Sequence, residues 1–216
     1  MTRTGLGLAA LGLALTLASS LTRADEGGST RLFNGKDLSG WITPDVQDLF
    51  TVEGGEIVGK TKGDLKKNEF LVTEDAYGDF VLKAKVKFIS GNSGIQFRSR
   101  RAPNGAVSGP QADVGNGYWG LLYEERGRGI LDRYPPEQAA KLVKEGDWNE
   151  FVITAKGDHV TIDLNGTRII DRTDPEFAKT GIIALQVHTG PVTEVRFKDI
   201  EIKTLDRRAV PGRETP

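Results

Sequence analysis

The chain has 216 residues, enough for one sizeable hydrophobic core. Its 29 Lys and Arg nearly balance 30 Asp and Glu, for a formal net charge of −1, so it exerts no broad electrostatic pull on nucleic acid. It contains no cysteine, which excludes disulfides, a thiol nucleophile and thiolate metal sites.

The N-terminus carries a targeting pattern. Arg3 gives a positive first region, Gly5 to Ala18 is an apolar run, and Thr22-Arg23-Ala24 supplies small residues where a signal peptidase needs them. This predicts a secretory signal over residues 1–24, cleaved close to Asp25. The apolar run is shorter than the roughly 20 residues of a spanning helix, so no membrane span is expected after cleavage. No cysteine follows it, which excludes a lipoprotein anchor. Export without disulfides fits a secreted or periplasmic bacterial protein.

Strand signals dominate the rest. Phe50-Thr51-Val52 and Glu56-Ile57-Val58 flank Gly54-Gly55, a hairpin signature. Asp79 to Phe88 alternates, with Phe80, Leu82, Ala84, Val86 and Phe88 on one face and Val81 and lysines on the other. Gln96 and Arg98 share a face opposite Ile95 and Phe97, and Gln111 and Asp113 share one opposite Ala112 and Val114. The one helical stretch is Pro136 to Lys144, with proline suited to its first turn. Phe151, Ile153 and Ala155 alternate, and Val160, Ile162 and Leu164 lead into a second hairpin turn, Asn165-Gly166. In Gly181 to His188, Ile183, Leu185 and Val187 form an apolar face, while Ile182, Ala184, Gln186 and His188 form one that turns polar toward its end. Val195 and Phe197, then Ile200 and Ile202, close the set, and the phase slip near Lys198-Asp199 predicts a bulge. Ten or more short strands predict an all-β sandwich or barrel. Residues 206–216 read as a frayed tail.

Four motifs occur in order: Leu32-Phe33-Asn34-Gly35-Lys36-Asp37-Leu38-Ser39-Gly40-Trp41, Gly91-Asn92-Ser93-Gly94-Ile95-Gln96-Phe97-Arg98, Gly146-Asp147-Trp148-Asn149-Glu150, and Gly181 to Val192 followed by Val195 to Leu205. In order and spacing they resemble the 3-keto-disaccharide hydrolase family over residues 30–205, expected as a single domain. The resemblance implies a concanavalin A-like jelly roll of two antiparallel sheets with a concave polar face. It also implies cleavage of 3-keto-glycosides by elimination or net hydrolysis. Where the family often has Glu-x-Gln, this chain has Gln111-Ala112-Asp113.

The polar strand faces supply a floor for such a site. A ketone at C3 acidifies the C2 hydrogen. A base removes it, an enolate forms, and the C1 substituent leaves. His188 fits the base with the least tuning. Arg98 is the expected donor at the enolate oxygen, and Asp113 or Glu124, with raised pKa, the acid at the leaving oxygen. Gln96, Gln111 and Gln186 suit hydrogen bonds to sugar hydroxyls, and Trp119 and Tyr123, with Tyr118, suit stacking on a ring. Each has a plainer reading: Arg98 in a structural ion pair, Trp119 in the core, Gln111 and Asp113 on a solvated strand end, His188 hydrogen-bonded without catalysis. A carbohydrate is the expected partner, with no nucleic acid and no cofactor. Scattered acids such as Asp171 and Asp174 assign no metal. A non-catalytic carbohydrate-binding module is the alternative function, and a two-carboxylate glycosidase a weaker one.

Overall fold

The structure, a computed structural model, describes residues 28–205. The expected signal segment 1–24 and tail 206–216 lie outside the described residues. In chain order the strands are β1 (Thr30–Arg31), β2 (Trp41–Ile42), β3 (Phe50–Glu53), β4 (Glu56–Thr61), β5 (Glu69–Tyr77), β6 (Phe80–Ser90), β7 (Ser93–Arg101), β8 (Val107–Val114), β9 (Leu121–Glu125) and β10 (Gly129–Arg133). After a short helix, α1 (Pro136–Leu142), come β11 (Trp148–Lys156), β12 (His159–Leu164), β13 (Thr167–Thr173), β14 (Gly181–Val187) and β15 (Thr193–Thr204).

They form two antiparallel sheets. One runs β13-β12-β11-β6-β15-β4-β3, with β1 beside β15, and the other runs β10-β9-β8-β7-β14-β5-β2. This is the concanavalin A-like jelly roll. Local chemistry sets the corners. Gly54 and Gly55, and Asn165 and Gly166, all take positive φ, as two-residue hairpin turns matched to the strand twist require. Asp199 also has positive φ and interrupts the β15–β6 register, so the expected bulge is present.

The core lies between the sheets. Phe80, Leu82, Ala84 and Val86 of β6 meet Ile95 and Phe97 of β7 and Ile183, Leu185 and Val187 of β14, all fully buried. Trp41 joins this core and donates from Nε1 to the Leu32 carbonyl at 2.6 Å. The opposite face of the second sheet is the concave one. Part of it is apolar, where Phe70, Val72, Val107 and Ala184 form a small second cluster. The rest is polar and holds the pocket described next.

Candidate active site on the concave sheet

Alternation delivers the site. Ala112 and Val114 of β8, Leu122 of β9 and Leu185 and Val187 of β14 point into the core, so Gln111, Asp113, Tyr123, Glu125 and Gln186 point away from it. They line an open pocket of about 300 Å³, together with His188 just past the end of β14 and residues of the flanking loops, among them Asn68 and Asn92.

The floor is a directional chain of hydrogen bonds. Gln96 Nε2 donates to Gln111 Oε1 at 3.2 Å, and Gln111 Nε2 donates to Asp113 Oδ1 at 2.6 Å and Gln186 Oε1 at 3.2 Å. Gln186 Nε2 and Asn68 Nδ2 then donate to the two carboxylate oxygens of Glu125. Gln96, Gln111 and Gln186 are all buried, yet they belong to the polar face. Buried amides are tolerated when they satisfy one another. Gln96 Oε1 has no hydrogen-bond partner among the described residues. Gly94 makes the arrangement fit, since a Cβ there would lie 2.4 Å from Cδ of Gln111.

Two groups in this pocket are suited to proton transfer. Burial pushes the Asp113 carboxyl up to about 7; the Gln111 hydrogen bond opposes this and the nearby Glu125 charge adds to it. His188 is held at both ends: its main-chain N–H donates to the Asn92 carbonyl at 3.2 Å, and its Nδ1 lies 2.6 Å from the Thr189 carbonyl oxygen. A carbonyl only accepts, so Nδ1 carries hydrogen and Nε2 is the ring nitrogen left to accept a proton. Thr189 is anchored in turn, its N–H donating to Asn68 Oδ1 and its hydroxyl to the Leu65 carbonyl.

Of the residues singled out in the sequence, the structure gathers Gln96, Gln111, Asp113, Tyr123, Gln186 and His188 at this place. Three others lie elsewhere. Arg98 does not reach the pocket, because its strand loses phase. The β7–β8 register breaks between Gln96 and Arg100, and Arg98 takes positive φ, so strict alternation past Gln96 fails. Its guanidinium instead meets Asp79 at 2.5 Å and the carbonyls of Gly78, Gly157 and Ala178. Glu124 lies on the other face of β9 and takes two side-chain hydrogen bonds from Arg128, which hold its carboxyl below the usual range, the reverse of the raised value expected. Trp119 is core: it stacks on Phe151 at 5.9 Å and meets Phe88 edge-on. The turn acids are engaged too, Asp171 with His159 and Arg168, Asp174 with Arg128 and Arg172. Among the described residues no group of three or more His, Asp or Glu side chains is placed to hold a metal ion.

Sequence reasoning missed Asn68, Asn92 and Arg133 as pocket residues, and gave a role to Glu124 rather than to its neighbour Glu125. A signal existed for Glu125: it shares the phase of Tyr123, whereas Glu124 shares that of buried Leu122. Asn68 and Asn92 are on loops, where no periodicity points at them.

Fold and site together define a jelly-roll sandwich with an open, polar pocket on its concave sheet. The chain belongs to the 3-keto-α-glucoside-1,2-lyase-like domain family, whose model matches residues 28–203. It is similar to a provisionally named glycosyl hydrolase from Parabacteroides distasonis ATCC 8503, with 25% identity and a TM-score of 0.61 over 83% of this chain and 95% of that one. It shares its fold with the carbohydrate-binding module CBM66 of Bacillus subtilis, at 19% identity and a TM-score of 0.57 over 76% of this chain and 96% of that one. It also shares it with the Bacillus licheniformis β-glucanase, at 13% identity and a TM-score of 0.59 over 84% and 100%. None of the curated proteins matches the chain. The family supports a carbohydrate-related function.

Proposed function

We propose that this protein is an exported enzyme that cleaves 3-keto-glycosides by elimination. The observation that carries the reading is Asp113: a buried carboxyl in an open pocket, with its pKa pushed up to about 7, can give or take a proton at neutral pH. In the proposed reaction His188 Nε2 takes the C2 proton, and the C–H electrons move into the C3 carbonyl to give an enolate. Asn92 at the pocket wall offers a donor to its oxygen. The enolate re-forms the ketone as the C1–O bond breaks, and protonated Asp113 hands its proton to the departing oxygen. Addition of water to the resulting double bond gives net hydrolysis. The Gln111 and Gln186 amides match hydroxyls of the retained ring.

The test is a panel of 3-keto disaccharides and their unoxidised parents. Release of the C1 substituent from the 3-keto forms is expected. Cleavage of the unoxidised forms alone would defeat the reading. The proposal includes export, so protein from the cell envelope should begin close to Asp25, and a retained Met1 would contradict it.

The three linked amides of the floor also favour a second reading, a module that binds sugar without cutting it. Saturable binding to the panel with no product would select it.

A further inference from the structure

One wall of the pocket has a different chemistry from its floor. Tyr118, Leu121, Tyr123 and Ile130 line it, contributed by β9, β10 and the turn before them. Tyr118 and Ile130 are among the few large apolar side chains left in solvent, at 44% and 54% exposure. Ile130 pairs across the strands with Tyr123, so both project from one face of the hairpin. A bulge follows Ile130, and Leu131 packs against the core while Ile130 stays outside.

The wall is also preformed. Arg128, in the turn of this hairpin, binds Glu124 within it and Asp174 and Glu176 beyond it. Arg172 donates to the Leu131 carbonyl at 2.7 Å. Such anchoring keeps apolar groups displayed that would otherwise fold inward, and displayed apolar surface beside a polar pocket marks a binding region. A second sugar would set hydroxyls against Ile130 and Leu121, which offer them no hydrogen bond. A flat aromatic ring suits the same surface: Tyr118 can stack on it, and the Arg133 guanidinium at the pocket can lie over its face.

We infer that this wall is the subsite for the leaving group, and that the group it selects is an aromatic aglycone. The inference rests on the reading of the pocket as a 3-keto-glycoside site. Its test compares the 3-keto form of phenyl glucoside with cellobiose oxidised at C3 of its non-reducing ring, so that the retained sugar is the same. The full exported chain, Ile130→Ser and Tyr118→Ala are each assayed for kcat/KM, or for Kd where turnover is absent. In each variant the phenyl-to-cellobiose ratio should fall about five- to tenfold, the scale of one lost apolar contact. Comparing variant with parent cancels the different leaving abilities of the two groups. A ratio unchanged within twofold in both variants overturns the subsite while leaving the pocket's function standing. Failure of the parent to bind or cleave either substrate overturns the function, and the subsite with it.

Discussion

The amide of Gln111 donates from Nε2 to Oδ1 of Asp113 at 2.6 Å, two residues further along the same strand face. This bond fixes the carboxyl and leaves its second oxygen for chemistry. It favours the ionised form, yet burial outweighs it.

The imbalance makes Asp113 a pH-dependent burden on the fold. Its carboxyl is raised from 3.8 to about 7, so the folded state holds the proton more tightly than the unfolded chain. That stabilisation is fully present below about pH 4 and is lost as pH rises through about 7. Asparagine does not titrate. Asp113→Asn should therefore gain stability over the parent between about pH 5 and pH 8, by an amount on the order of a few kcal/mol. It should also lose at least about 10²-fold in turnover. Urea unfolding at several pH values reads the first, and a gap that stays flat with pH would count against a raised carboxyl. In the parent, turnover should fall above about pH 7, since the acid must be protonated.

His188 carries the proposed base at Nε2. It is half-buried at the end of β14 and contributes little to the core. His188→Ala should lower turnover of a 3-keto-glycoside by at least about 10²-fold, the usual worth of a placed proton acceptor. His188→Gln keeps most of the shape and should be nearly as inactive. Thermal unfolding of both should stay close to the parent. Parent-like cleavage by His188→Ala would remove His188 from the mechanism.

How much of this was legible in the sequence depends on phase. Strict alternation in β6, β8 and β14 identified the core and placed Gln111, Asp113 and Gln186 on one polar face, because a one-residue slip would have turned them all into the apolar core between the sheets. The same reasoning failed at Arg98, where a bulge removes the phase and no glycine announces the positive φ. It failed differently at Glu124, where two adjacent glutamates leave the choice to the strand's register against its neighbours. Trp119 lies within a turn, where periodicity carries no information, and its ring goes to the core.

Gly94 lies across from Asp113 in the β7–β8 ladder and leaves room for the Gln111 side chain. A Cβ at Gly94 would sit 2.4 Å from Cδ and 2.5 Å from Cγ of Gln111, so Gln111 must move away. Gly94→Ala should cost about 1–3 kcal/mol of stability, as overpacking does. By releasing Asp113 from its donor it should also slow turnover more than about tenfold, since small displacements near the reacting atoms are costly. Kinetics on the folded variant measure this. Unchanged kcat would mean that Gln111 does not position Asp113.

Arg98 offers the sharpest separation of structure from chemistry. Its side chain is 1% exposed, and its guanidinium ties the β5–β6 turn, through Asp79 and Gly78, to the β11–β12 turn at Gly157 and to the segment before β14 at Ala178. Asp79 Oδ1 also accepts from the Gly157 N–H, so the pair joins both sheets at one end of the sandwich. Removing one partner of such a buried pair strands the groups that faced it, at a cost of about 3–5 kcal/mol. Arg98→Ala should lose stability on that scale, and Arg98→Lys most of it, because a single ammonium cannot replace a planar fork. Since Arg98 lies outside the pocket, the folded fraction of either variant should keep the parent's KM and kcat at low temperature. Denaturant melts and active-site titration read the two quantities separately. A stable Arg98→Ala with collapsed kcat would return Arg98 to the reaction and refute the structural role.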